Sequence, residues 1–236
     1  GQELSWGIDR PTILALSLGP VDSPLFPAAG DTGNVTVTVP EGFAWTAQSN
    51  VYEVNLRQYS QSGSIKDFQK HLPRLKAMGV HILWFMPITP IGIEGRKMTS
   101  ADLGSYYAVR DYKAVNPEFG TMADWKALVK KAHAMGFKVV TDWVANHSAQ
   151  DNPWAKQHPE FYVHDSTGKI VSPFDWTDVY KLNYQNNALR DSMIDAMKFW
   201  VTQTGIDGFR CDVAEEVPMD FWKRAISSLR QIKPLY

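Results

Sequence analysis

Apolar positions along this chain follow two alternating rhythms. Short continuous runs rich in β-branched and aromatic side chains cover residues 51–56, 80–85, 137–142 and 206–212, and each predicts a buried strand. Between them apolar residues recur every three or four positions: Ile65, Phe68, Leu72 and Leu75, then Trp125, Leu128, Val129 and Ala132, then Leu189, Met193, Met197 and Trp200. That spacing sets each group on one face of a helix. Ser64 with Asp67, and Thr121 with Asp124, have the form of capping boxes at helix starts. Gly79, Gly136 and Gly205 each close a helical pattern just before a strand, as C-terminal caps do. Pro73 falls inside the first helical pattern and predicts a bend or break there. With a last helix over residues 218–230, the pattern gives four strand-helix units.

Strands that alternate with helices imply a parallel sheet with right-handed crossovers, either open and doubly wound or closed into a barrel. The loops separate the two. Residues 56–59, Leu-Arg-Gln-Tyr, follow the first strand and supply no glycine-rich phosphate loop, which argues against a dinucleotide-binding or flavodoxin-like domain. The loops after the second and third strands run to roughly 30 and 40 residues, against a usual 2 to 6. Long loops at strand C-termini are where barrel enzymes build their sites. Residues 1–46 differ in texture, rich in Pro, Gly, Thr and Val. They read as a β-rich segment with strands at 12–18 and 34–39 and no catalytic constellation. The expected organisation is that segment followed by a barrel unit over 47–236, with an excursion at 143–187.

Composition narrows the partners. A net charge of −1 without basic blocks points away from nucleic acid and anionic membrane surfaces and toward a neutral small ligand. No apolar run approaches the length of a membrane span. The single cysteine, Cys211, excludes an internal disulfide. The first residue is Gly and not Met, which fits either processing, with an export signal removed, or a sequence that starts partway along a longer one, and a periplasmic or extracellular location is slightly favoured over a cytoplasmic one.

The chemistry concentrates in Gly208-Phe209-Arg210-Cys211-Asp212. Residues two apart on a strand point the same way, so Arg210 stands beside Asp212 and favours its ionised form. Such a carboxylate serves equally as a nucleophile or as half of a structural ion pair.

Four segments in order, Trp84-Phe85-Met86-Pro87-Ile88, Ser105-Tyr106-Tyr107-Ala108-Val109-Arg110-Asp111-Tyr112, Asp142-Trp143-Val144-Ala145-Asn146-His147 and Gly208 to Asp212, resemble the successive sequence regions of the alpha-amylase family, glycoside hydrolase family 13. The resemblance runs from about residue 51 to the last residue. It implies an α/β fold of the (β/α)8 TIM-barrel type, of which the first four βα units are present, acting on alpha-linked glucans by a retaining mechanism. It further implies Asp212 as nucleophile, Arg210 as the arginine that orients it, and His147, Tyr107 and Asp142 as the substrate-binding set. Asn146 matches a position that ligates structural calcium in many members. A sugar has an apolar face and a ring of hydroxyls, and an aromatic platform edged by polar groups suits it. Trp143, Trp154, Phe161, Tyr162 and Trp176 fall in the third loop, where they either line a glucan groove or form that loop's own core. The core is the expectation for all five.

Three departures from the family pattern carry consequences. Glu215 and Glu216 stand where many relatives have a Lys-His pair contacting the sugar beyond the scissile bond. Lys181 stands where calcium-binding members tend to carry an acidic ligand, which disfavours calcium, a cation that wants several oxygen donors. No cofactor is otherwise required. The family's general acid, expected at the end of a fifth strand, is not found within the 236 residues, so the chain alone is expected to be inactive. Open sheet edges would then favour self-association or a complementing piece. The rival from another class is a non-catalytic, alpha-amylase-like binding or partner subunit.

Overall fold

A computed structural model describes residues 44–96 and 103–236. The strands expected at 12–18 and 34–39 lie outside them. Backbone contacts divide the chain into two units, residues 1–50 and 51–236. The described part of the first is a single 3₁₀ turn, Ala44–Gln48, and the second carries the strand-helix array.

Local chemistry sets where each element begins and stops. Strand β1 (Val51–Val54) ends earlier than its apolar run because the Asn55 side chain accepts a hydrogen bond from the backbone of Gln58 and starts a helical turn, α1 (Leu56–Tyr59). Helix α2 (Ile65–Lys70) starts at Ser64, whose Oγ accepts from Asp67 N at 3.2 Å. The Asp67 carboxylate takes Lys70 and Ser62 instead of closing the box. The expected bend is a break at His71, after which α3 (Leu72–Ala77) carries Pro73 in its first turn, where a missing N–H has no partner to lose. Strand β2 (Ile82–Phe85) follows, then α4 (Met122–Ala134), whose box is complete: Thr121 Oγ1 accepts from Asp124 N and Asp124 Oδ2 accepts from Thr121 N. The remaining elements are β3 (Lys138–Val144), β4 (His147–Ala149), α5 (Pro153–Gln157), β5 (Val179–Lys181), α6 (Asn187–Thr204), β6 (Gly208–Asp212) and α7 (Met219–Arg230). The three expected capping glycines have φ near +80°, the left-handed conformation that ends a helix.

Strands β1, β2, β3 and β6 form one parallel sheet in that order. Strands β4 and β5 pair separately and antiparallel within the excursion. Helices cover the sheet through an aromatic ladder: Phe68 on Phe85 (5.1 Å between ring centroids), Phe85 on Trp125 (5.0 Å) and Trp125 on Trp200 (6.4 Å), all edge to face. Each such pair contributes about 0.5–1.5 kcal/mol beyond the area it buries. The ladder therefore ties α2 and α4 to β2, and α6 to α4. On the outer side of β6, Tyr236 O accepts from Phe209 N (3.0 Å) and Tyr236 N donates to Asp207 O (2.8 Å), in the manner of a parallel neighbour. Gly208 permits this approach, since a Cβ there would lie 2.1 Å from Tyr236 O. Among the described residues no helix is long and apolar enough to cross a membrane.

Candidate active site

The register of the sheet assembles the site. Pairing of β3 with β6 sets Asp142 opposite Arg210 and Val144 opposite Asp212, so both acidic residues reach the C-terminal ends of neighbouring strands. Arg210 Nη1 lies 2.6 Å from Asp212 Oδ1 and 3.1 Å from Asp142 Oδ1, bridging the two. Its guanidinium carbon sits 5.2 Å from the centre of the Trp84 ring, which steadies the cation from one side. Tyr107, from the loop after β2, donates its hydroxyl to Asp142 Oδ2 at 3.3 Å. His147 arrives on β4, opposite Lys181 of β5.

Buried hydroxyls hold the His147 turn in place. Tyr112 Oη lies 2.9 Å from Val144 O and 2.8 Å from His147 O, and Tyr184 Oη donates to Ala145 O at 2.7 Å. These supply donors to carbonyls that the end of β3 would leave unpaired. Asn146 Nδ2 lies 3.3 Å from His147 Nδ1. The ring also makes a hydrogen bond to the Tyr107 backbone, so His147 is held from both the Asn146 side chain and the loop after β2. The Trp176 ring stands edge-on to His147 at 5.2 Å. Tyr107, His147, Asp212, Ser105, Trp176 and Asp178 share a cleft of about 360 Å³ that Val179 and Val213 also line.

Burial shapes the electrostatics. It pushes Asp142 up to about 6, against the pull of Arg210 and with the repulsion of Asp212. It lowers His147 to about 4, with Asp178 opposing, so the imidazole is neutral across the physiological range. It raises Tyr107 to about 12, helped by Asp142 and Asp212, so the phenol remains a donor. Burial works against charge on Arg210 as well, but Asp142 and Asp212 outweigh it and hold the guanidinium above its ordinary range.

Of the residues expected in the site, the structure brings Asp212, Arg210, Tyr107, His147 and Asp142 together. Asp142, expected among the substrate-binding residues, has a side chain of 0% exposure and reaches the cleft through Arg210 and Tyr107. Asn146 is buried beside His147. Lys181, the residue expected to disfavour calcium, stands on the neighbouring strand with its ammonium 3.7 Å from Glu216. Trp143, Phe161 and Tyr162 are buried and Trp154 packs against the same core. Trp176 packs in part against a separate small cluster of Ala108, Ala149 and Val179, and it also lines the cleft. Its cue is position, since it just precedes β5, whose partner strand carries His147. Trp84 and Ser105 open two of the segments that carry the family resemblance, but they were given no role of their own, and neither was Asp178.

Four parallel strands with helices between them, and a cleft gathered on their C-terminal rim, are the first part of a (β/α)8 barrel with its ligand site in the usual place. A family model described as "Alpha amylase, catalytic domain" matches residues 37–181 and 165–229. The chain belongs to the alpha-amylase family, glycoside hydrolase family 13, whose members act on alpha-glucans as hydrolases or transferases. It is 33% identical over 189 residues to an alpha-1,4-glucan:maltose-1-phosphate maltosyltransferase of Corynebacterium pseudotuberculosis, covering 73% of this chain and 28% of that protein. It is 28% identical over 224 residues to alpha-amylase 3 of Dictyoglomus thermophilum, covering 80% and 42%. Among solved structures, an alpha-amylase from Lactobacillus plantarum matches with a TM-score of 0.74 and 43% identity over 78% of this chain and 42% of that one. The chain thus spans less than half the length of the relatives it matches.

Proposed function

We propose that this chain supplies the nucleophile side of a retaining site that cleaves or transfers alpha-linked glucosyl units. The observation that carries the reading is Arg210 Nη1 at 2.6 Å from Asp212 Oδ1, at the rim of a cleft that also holds Tyr107 and His147. In the proposed step an Asp212 oxygen attacks the anomeric carbon while the bond to the departing oxygen breaks and that oxygen takes a proton from an acid. The product is a covalent glycosyl ester on Asp212. Water then gives hydrolysis, and a second sugar gives transfer, through the same intermediate. Arg210 holds the Asp212 carboxylate in position through their hydrogen bond, the Tyr107 ring offers a platform for the sugar's apolar face, and His147 meets a hydroxyl at the edge of the cleft.

No acid is assigned among the described residues. Glu215 and Glu216 follow Asp212 too closely in a 3₁₀ turn to stand across a scissile bond, and Glu216 is engaged with Lys181. The chain by itself should therefore turn over no maltooligosaccharide or starch. An activated donor bypasses that need, because fluoride leaves without protonation.

Incubation with 5-fluoro-α-D-glucosyl fluoride followed by peptide mass spectrometry tests the reading. One glycosyl adduct on the peptide containing Asp212 is expected, with none on Asp212→Asn. Labelling elsewhere, or none at all while the reagent demonstrably binds, would sink the nucleophile assignment and favour a non-catalytic subunit.

A further inference from the structure

Among the described residues, the non-glycine residues with positive φ are Val213 at +48° and Phe174 at +52°. Val213 follows Asp212 and lines the cleft. Phe174 is the second residue of a turn closed by Trp176 N donating to Pro173 O at 3.2 Å, a position where glycine or asparagine takes such a φ without strain. The residue is 64% exposed. The site thus bears two costs at once, a bulky side chain in the left-handed region and a large apolar ring in water. A glycine would remove both while keeping the turn.

What the ring adds is continuity. Phe174 lies 4.9 Å from Trp176, and Trp176 lies 5.2 Å from His147, so three rings lead outward from the cleft. A second cavity of about 500 Å³ shares Ser105, Trp176 and Asp178 with the cleft but not Asp212 or His147, so it continues the cleft away from the reacting carboxylate. The segment bearing the rings is held firmly. Gln150 Nε2 donates to Thr177 O at 2.5 Å, and Gly95 abuts the same carbonyl so closely that a Cβ there would lie 2.8 Å from it. Trp176 lines this second cavity beside Arg96, Ser105, Asp175 and Asp178, and Phe174 packs on Trp176; an apolar face edged by polar groups is the chemistry that a pyranose ring with its hydroxyl rim requires.

We propose that Phe174 and Trp176 form an aromatic platform that binds glucosyl units of an alpha-glucan beyond the one held by Tyr107 and His147, and so favours longer chains over short ones. This rests on the glucan reading above. The Phe174 ring stacks on the C–H face of a sugar, and the carboxylates of Asp175 and Asp178 accept from its hydroxyls.

Titration calorimetry of the chain with maltose and with maltoheptaose, alongside Phe174→Ala and Phe174→Gly, decides it. The unaltered chain should bind maltoheptaose at least about fivefold more tightly than maltose, and both variants should lose most of that gap while maltose affinity stays within about twofold. Phe174→Gly should melt at or above the temperature of the unaltered chain, because glycine adopts φ +52° freely. A gap retained in both variants overturns the platform and leaves the glucan reading standing. A Phe174→Gly melting point several degrees lower also overturns it, since the ring would then be holding the fold. If the unaltered chain binds neither sugar, the glucan reading falls and the platform with it.

Discussion

Arg210 and Asp142 face each other across the β3–β6 register, with Nη1 of one 3.1 Å from Oδ1 of the other, and the Asp142 side chain is shut off from solvent. The pair is unequal. Burial presses Asp142 toward its neutral form more strongly than Arg210 pulls it toward its charged form, and the carboxyl titrates at about 6 where 3.8 is ordinary. A raised folded-state value means that this group's stabilising contribution is full below 3.8 and is lost as pH rises through about 6.

Asp142→Asn, which does not titrate, should therefore improve relative to the unaltered chain by about 2–3 kcal/mol between pH 4 and pH 7. Urea unfolding at the two pH values measures it. In parallel, Arg210→Met should move the Asp142 carboxyl resonance to a still higher midpoint, since the cation that lowered it is gone. A stability difference that moves in the other direction with pH, or a midpoint that falls in Arg210→Met, would refute the account.

Asp207, just ahead of β6, behaves oppositely. Its carboxylate takes His133 Nε2 at 2.6 Å, Val139 N at 2.9 Å, Lys233 Nζ at 3.2 Å and Lys138 Nζ at 3.4 Å. Burial alone would raise it, but these partners outweigh burial and bring it down to about 2. Its contribution is present above 3.8 and is lost as pH falls through about 2. Asp207→Asn should cost about 2 kcal/mol at pH 7, and the gap from the unaltered chain should close as pH approaches 2. A gap that persists at pH 2 would assign the loss to packing and not to charge.

These two aspartates mark how far a one-dimensional reading reaches. Arg210 and Asp212 were legible because a strand's two-residue period sets them side by side whatever surrounds it. The βα alternation, the glycine caps and the Thr121 box were legible for the same reason, each being decided within a few residues. Asp142 as the partner of Arg210 was not, because cross-strand register is settled by packing of the whole sheet, and a side chain marked for substrate turned out to be fully enclosed. The early end of β1 was hidden by Leu56, an apolar residue that continues the strand pattern while Asn55 caps a helix. Trp176 shared the composition of its loop with Trp154, and only the pairing of β4 with β5 carries it to His147 while Trp154 stays in the core.

The same pairing governs the response to calcium. His147 stands opposite Lys181, and the Lys181 ammonium lies 3.7 Å from Glu216 Oε2, in the turn that follows Asp212. We expect the Lys181 ammonium to disfavour a divalent ion at this corner, since calcium takes six to eight oxygen donors. A ligand that binds only the folded state must raise the melting temperature. Millimolar calcium and an excess of chelator should therefore leave the melting curve of the chain superimposable. Lys181→Asp removes the cation and adds a carboxylate, so if the ammonium is what excludes the ion, this variant should gain a calcium-dependent rise in melting temperature. A chelator-induced fall in the unaltered chain, reversed by calcium, would show that the Asn146 corner binds the ion despite Lys181.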